Sequence, residues 1–358
     1  MKIFTINPGA TTTKIALFED TTEIWRESIS YTREQLSVFN APEDEEDLRY
    51  EDVIAHLNNR GIALNDIDAF VGRGGLLHPI SGGTWIVTDD MIEDLKSKKY
   101  GSHASNLGCI LALRMSETAG KVAAYTVDPV CVDEMPPIAH ISGIPSLPRV
   151  SIFHALNQKA VAHRVAAKLG KKMEECKFII AHMGGGITVG AHYLGRVIDV
   201  NNALGGYGPM TPERSGTVHG IETVKLCFSG KYTEQEVRRM LVGDGGLYAH
   251  LATTDFRYIA EKAKAGDGKF ALTVDALAYQ IACEIGSRSM AMKGEIDAII
   301  LTGGLANSDY LCNLVRSKTE WLAKVIIVPG EDELQALAEG VYRVLSKEEE
   351  AKVYVSEQ

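Results

Sequence analysis

One short design occurs twice in this chain, and it constrains the fold more than any other feature. Near the start, Lys2 to Asn7 reads as an alternating strand, Pro8-Gly9 breaks it, and Thr11-Thr12-Thr13 leads into an apolar strand over Lys14 to Phe18. Much later, Lys177 to Ala181 is apolar, His182 follows, Gly184-Gly185-Gly186 makes a turn, and Thr188 leads into a strand near Val189 to Tyr193. Laid together, Asn7 falls on His182, Gly9 on Gly184 and Thr13 on Thr188. Two hairpins of one design imply a duplicated domain, and 358 residues are enough for two cores.

Between the hairpins the periodicity is helical. Ser151 to Leu169 predicts a helix capped by Ser151 and ended by Gly170, with Ile152, Ala155, Leu156, Val161, Val165 and Leu169 inward. A second helix is expected near Leu272 to Met290. The strand Ala298 to Leu301 follows it, then Thr302-Gly303-Gly304, and a further helix from Asn307 or Ser308. Strands mixed with helices in both halves predict two α/β domains with a cleft between them. The proline-rich stretch Asp128 to Pro148 reads as the irregular connection. Residues 1–135 with a returning C-terminal helix, about 334–358, form the first expected domain, and 136–333 the second.

A net charge of −10 argues against a broad basic surface for nucleic acid or anionic membrane. The acidic runs Glu43 to Asp47 and Lys347 to Glu350 read as solvated faces without function. No apolar stretch is long enough to span a bilayer, and MKIFTINPGATTTK turns polar too early for a secretory signal. The expected location is the cytoplasm. Six scattered cysteines, without CxxC or Cys/His spacing, read as buried reduced thiols.

Glycine-threonine turns let backbone N–H groups and hydroxyls converge, which suits phosphate oxygens. Either turn alone is more often just a turn, but its recurrence in corresponding places favours a polyphosphate held from two sides. The chain lacks GxxxxGK[ST] and the ordered motifs of protein kinases. Ile299 to Ser308, a strand, two glycines and a helix start, is a third phosphate or nucleoside candidate.

NPGATTTK, VGRGG, YTVDP, SIFHALNQK, AHMGGG, GPMTPERSG, LTGGLANS and VPGEDEL occur in that order across nearly the whole chain. This series resembles the acetate and butyrate kinases, and within them is most similar to the butyrate kinases. The resemblance implies two duplicated actin-like, ribonuclease H-like α/β domains with ATP in the cleft between them. It also implies reversible phosphoryl transfer between ATP and butyrate, isobutyrate or another branched acid, with Mg²⁺, an acyl phosphate product and a homodimer. Acetate or propionate is the alternative acid.

Carried onto this sequence, the resemblance places Asn7, Thr11, Thr12 and Lys14 in the first phosphate loop and Gly184, Gly185 and Gly186 in the second. Gly303, Gly304 and Asn307 would lie along the nucleoside. Arg73 and Arg214 would flank the transferred phosphoryl group, Asp128 would orient it or the metal, and His154 and His182 would donate to its oxygens. Gly75, His103, Phe153 and Pro209 would line the acid pocket, with Gly75 leaving room for a longer acid. Of Glu331-Asp332-Glu333, Asp332 and Glu333 would approach the metal. The family's serines in the first loop are here Ala10 and threonines, and its asparagine in the second is here Gly185.

A fatty acid is already ionised at neutral pH, with a carboxyl pKa near 4.3, so its phosphorylation needs no general base. It needs charge neutralisation, which paired arginines supply through their fixed donor forks. A non-catalytic ATP-gated clamp of the actin or Hsp70 type, and a sugar kinase, are the competing readings.

Overall fold

The computed structural model describes residues 1–120, 122–202 and 204–357. The chain divides into two compact units, one of Met1–Asp133, Ala155–Ala160 and Asp332–Gln358, the other of Glu134–His154 and Val161–Glu331.

The first unit is built on strands β1 (Lys2–Pro8), β2 (Thr12–Glu19), β3 (Thr22–Ser30), β4 (Ala69–Gly72), β5 (Thr84–Ile86) and β6 (Ala123–Val127), joined by β12 (Lys352–Val353). Their order is β12-β5-β6-β4-β1-β2-β3. The second unit holds β7 (Lys177–Met183), β8 (Ile187–Tyr193), β9 (Arg196–Val200), β10 (Ala298–Gly303) and β11 (Val325–Pro329), in the order β11-β10-β7-β8-β9. In each sheet an antiparallel three-strand meander continues through two parallel strands beside its first strand. The repeated hairpin is thus the visible part of a repeated five-strand order.

The two turns differ by one residue. Asn7 pairs with Lys14 in the first hairpin, whereas His182 pairs with Thr188 in the second. Thr188 therefore occupies the position of Lys14, which corrects the alignment of Thr13 with Thr188.

Each sheet is covered on both faces, so its central strands read as near-continuous apolar runs. Alternate residues of β1 serve opposite faces. Phe4 and Ile6 pack with Leu107, Ile110 and Leu111 of the helix Asn106–Thr118, while Ile3 packs with Leu334, Leu337 and Val341 of the helix Glu333–Leu345. In the second unit, Ile179 and Ala181 of β7 join Leu277, Ile281 and Ile285 of the helix Gly268–Ala291. Phe178 and Ile180 join Val161 and Val165 of the helix Ala155–Lys168. Each such side chain contributes about 1.5–3 kcal/mol on full burial.

Three local readings need correction. The helix expected from Ser151 starts at Ala155, because His154 holds a non-helical ψ of 62° and its ring is engaged elsewhere; Leu169 is exposed. The helix expected from Asn307 or Ser308 is borne out, Ser308 capping the helix Asp309–Thr319 after a 3₁₀ turn, Gly304–Asn307. The run Glu43 to Asp47 is not a solvated face, since Glu43 and Glu45 are each 6% exposed. Of the cysteines, Cys227 and Cys283 are exposed and the other four buried. Among the described residues no helix is long and apolar enough to cross a membrane.

The strand β12 is pinned by a buried carboxylate. Tyr354 Oη and Ser356 Oγ both donate to Asp94 Oδ2 at 2.7 Å. Burial alone would raise the Asp94 pKa, but these bonds and Lys99 outweigh it and hold the group below the ordinary aspartate value. Its stabilisation is therefore complete above about pH 3.9 and fades as pH falls towards the lowered value. Tyr354→Phe leaves Asp94 one donor short and is expected to cost about 1–3 kcal/mol in urea unfolding at neutral pH. The difference between variant and parent should shrink as Asp94 protonates; a pH-independent difference would count against this account.

Candidate active site

The candidate residues fall into two groups, one in each unit. In the first, opposite residues of an antiparallel pair share a sheet face, so Asn7 and Lys14 project on the same side. Asn7 donates through Nδ2 to Glu333 Oε2, and Arg73 Nη1 lies 2.7 Å from Glu333 Oε1 and 3.5 Å from Asn7 Oδ1. Arg73 follows β4 directly, and Glu333 begins the helix that covers β1. The three thus meet because the ends of β1 and β4 and that helix start coincide. Thr11 is exposed and Thr12 half-buried in the hairpin turn.

Asp128 ends β6 in the left-handed region at φ 40°, where Asp is tolerated better than bulkier residues. Its backbone N–H donates to Gly83 O, and its Oδ1 accepts from Gly83 N–H at 2.7 Å. A Cβ at Gly82 would lie 2.2 Å from Lys159 Nζ and 2.9 Å from Asp128 Oδ1, so a buried ammonium stands beside this carboxylate. Lys159 closes the SIFHALNQK motif, yet its type alone gave no reason to single it out.

The acid-pocket candidates are held by the misread acidic run. Glu43 accepts from Ser102 Oγ, His103 N–H and Asn106 Nδ2, at 2.7, 3.0 and 2.7 Å. Asn106 Oδ1 in turn accepts from Leu76 N–H at 2.8 Å. His103 Nδ1 accepts from Ser105 N–H. Desolvation of its ring, and then the charge of Arg73, lower the His103 pKa. Both the geometry and the shift keep His103 neutral at pH 7. A Cβ at Gly75 would lie 2.1 Å from Asn106 Oδ1 and 2.6 Å from Asn106 Cα. The room that a side chain at Gly75 would need is already filled, so Gly75 permits close packing rather than opening a pocket. Phe153 and Pro209, both in the second unit, are buried.

The second group gathers on the β7–β8 turn. His154 and His182 stack with ring centroids 3.9 Å apart. His154 Nδ1 lies 2.9 Å from Thr188 Oγ1, which orients the ring. His182 Nε2 lies 3.2 Å from Glu331 Oε2. A Cβ at Gly186 would meet Arg214 Nη1 at 2.9 Å and His154 Cε1 at 3.2 Å, which places that guanidinium and that ring together beside the turn. Burial lowers the Arg214 pKa and Glu213 partly offsets it; a guanidinium remains charged regardless. Thr211 Oγ1 accepts from the N–H groups of Glu213 and Arg214, fixing the turn that carries the arginine. At Gly185 a side chain would have room, its Cβ standing 3.7 Å from Glu213 Oε1. Gly303, at φ 88°, lets β10 approach the backbone of Met183, while Gly304 has open space beside it and its carbonyl accepts from Asn307 Nδ2.

A model of the acetokinase family matches residues 147–355, more than half of the chain. The chain belongs to the acetokinase family. Its activity is that of a phosphotransferase with a carboxylate acceptor, and the family uses ATP and ADP, generally with Mg²⁺. An acetate kinase from Porphyromonas gingivalis superposes with a TM-score of 0.78 at 18% identity, covering 96% of this chain and 99% of that one. A propionate kinase from Francisella tularensis gives 0.74 at 17% identity (95% and 98% covered), and an acetate kinase from Entamoeba histolytica 0.74 at 16% (95% and 98%). These likenesses establish the duplicated actin-like α/β fold that the repeated hairpin implied.

The three consecutive acids separate by partner. Glu331 faces His182; Asp332 caps its helix through Gln335 N–H and pairs with Arg26 at 2.7 Å; Glu333 faces Asn7 and Arg73. Among the described residues no three His, Cys, Asp or Glu side chains close on an ion.

Proposed function

We propose that this member of the family is a short-chain fatty acid kinase, exchanging a phosphoryl group between ATP and butyrate or a branched four-carbon acid. The supporting observation is the state of the carboxylates. Glu333, Asp128 and Glu331 each already hold a protein donor, while an arginine stands beside a glycine or threonine turn in each unit. Such a set is poor in general bases and rich in charge neutralisers, which matches an acceptor that arrives ionised. A hydroxyl acceptor would require a base.

In this reading the first unit supplies Arg73 and the Asn7–Lys14 face, and the second supplies Arg214, His154 and the Gly184–Gly186 turn. Asp128 and Glu333 would hold Mg²⁺, which when bound adds positive charge at the phosphate oxygens. The arginines and the histidine donor stabilise charge on the equatorial oxygens during in-line transfer. Thr188 keeps the His154 ring oriented through Nδ1. Gly303, Gly304 and Asn307 serve the nucleoside. The preference for four carbons rests on the motifs' similarity to butyrate kinases, and the buried Phe153 and Pro209 would supply apolar lining for the acid.

Hydroxamate trapping with ATP, Mg²⁺ and acids of two to six carbons tests the proposal. The highest kcat/KM is expected with four carbons, and each methylene should change it by roughly 10–200-fold. A maximum at acetate or propionate would overturn the acid assignment. ATP hydrolysis unaffected by any acid would favour the clamp, and transfer to a hydroxyl the sugar kinase.

A further inference from the structure

We propose that Arg49 is a positioning residue for the first phosphate loop, a buried guanidinium that fixes which way the loop's peptide groups face. Arg49 is 0% exposed, in the first turn of the helix Glu46–Asn59. Nε and Nη2 pair with Glu45 Oε2 at 2.7 and 2.6 Å, and the guanidinium carbon lies 4.7 Å from the Tyr31 ring centroid. Its remaining donors reach the β1–β2 turn. Nη1 donates to Thr12 O at 3.0 Å and Thr13 Oγ1 at 2.9 Å, and Nη2 to Ala10 O at 3.4 Å.

The consequence lies in the peptide planes. Thr11 O is taken by Tyr31 N–H, and Thr12 O also accepts from Gly9 N–H. The carbonyls of Ala10, Thr11 and Thr12 are therefore all claimed within the unit. In a trans peptide the next N–H points opposite to the carbonyl, so the amides of Thr11, Thr12 and Thr13 are set by these acceptors. At Ala10 the guanidinium holds the carbonyl, which turns the Thr11 N–H away from Arg49.

Burial energetics support this role over simple cohesion. A fully buried ion pair is often no more stabilising than apolar residues of similar volume. What apolar residues lack is five donors in a fixed fork, able to hold two carbonyls and a hydroxyl at once.

This proposal rests on the reading that Gly9 to Thr13 meets the phosphates, and the experiment separates the two. Four variants are compared for melting temperature, ATP affinity by calorimetry, kcat and the KM for each substrate. Ala10→Asp puts a negative charge on the exposed turn and tests the loop itself. Arg49→Lys keeps the charge but loses the fork, and Thr13→Val removes one acceptor isosterically should Arg49→Lys fold poorly. Val53→Ala, in the core behind the same helix, is the control for stability loss alone. The expected result is at least tenfold weaker ATP binding for Ala10→Asp, and a kcat reduced on the order of 10–100-fold for Arg49→Lys with acid KM within about threefold. Thr13→Val should fall between parent and Arg49→Lys in kcat, and Val53→Ala should lower the melting temperature without changing kcat. If Arg49→Lys and Thr13→Val behave like Val53→Ala while Ala10→Asp still weakens ATP, Arg49 is only structural and the loop assignment stands. Unchanged ATP binding in Ala10→Asp overturns the loop assignment, and the role of Arg49 with it.

Discussion

Arg73→Ala and Arg214→Ala are each expected to lower kcat by about 10²–10³ while changing ATP binding far less, since loss of one preorganised donor to a transition-state charge costs about that much. Their surroundings give the two variants different signatures. Arg73 pairs with Glu333, so its removal also leaves a carboxylate facing the place where phosphates arrive. Glu333, as a proposed Mg²⁺ ligand, should lower kcat on its own when changed to Gln, and a double-mutant cycle with Arg73→Ala should give a combined loss smaller than the sum of the two single losses, which measures their coupling. Arg214 sits beside Glu213, whose charge partly offsets the effect of burial on the guanidinium. Thermal stability should change little for Arg73→Ala, because its side chain and that of Glu333 are 33% and 20% exposed and such pairs contribute little. Near-normal turnover in either single variant would remove that arginine from the mechanism.

Gly75→Val is expected to damage the first unit rather than shift acid preference. The new Cβ would lie within 2.6 Å of Asn106 Cα, so backbone must move at the start of the helix Asn106–Thr118. Overpacking of this kind costs about 1–3 kcal/mol or more. For a domain of this size that lowers the melting temperature by about 2–4 °C per kcal/mol. Asn106 also joins Glu43 and Leu76, so the displacement reaches His103, and kcat/KM for butyrate and acetate should fall together. A stable variant that loses butyrate but keeps acetate would restore the pocket role for Gly75.

Much of the fold was legible because duplication leaves its trace in short turns, where glycine and threonine are required and strand patterns change. Both hairpins, the long helix before β10 and the strand-glycine-helix passage after it appeared where expected. The one-residue difference between the turns was not legible, since register is decided by which backbone groups pair and not by residue type. Among the site residues, motif positions were readable, but their partners were not. Glu43, Glu45 and Arg49 look like an ordinary charged helix start, because burial of a charge depends on what tertiary structure brings to it. The helix start at Ala155 was missed for a related reason: the contacts of the His154 ring with Thr188 and His182 override the local capping signal of Ser151. Gly75 shows the opposite limit, a glycine whose meaning depends on a residue 31 positions away in sequence.

The way the first unit is closed has a consequence for how the protein is made. Its second apolar cluster joins Ile3, Phe18 and Val71 to Leu334, Leu337 and Val341, and its outer sheet edge is completed by β12. Those late residues leave the ribosome only after the entire second unit has been synthesised. Until then that face of the first sheet has only Leu156 and Ala160 of the earlier helix as cover, and its apolar side chains are open to the wrong partners, the situation in which nascent multidomain chains aggregate or recruit chaperones. The second unit, whose residues 161–331 are nearly contiguous, is free of that delay, so the half of the molecule begun last is positioned to fold first.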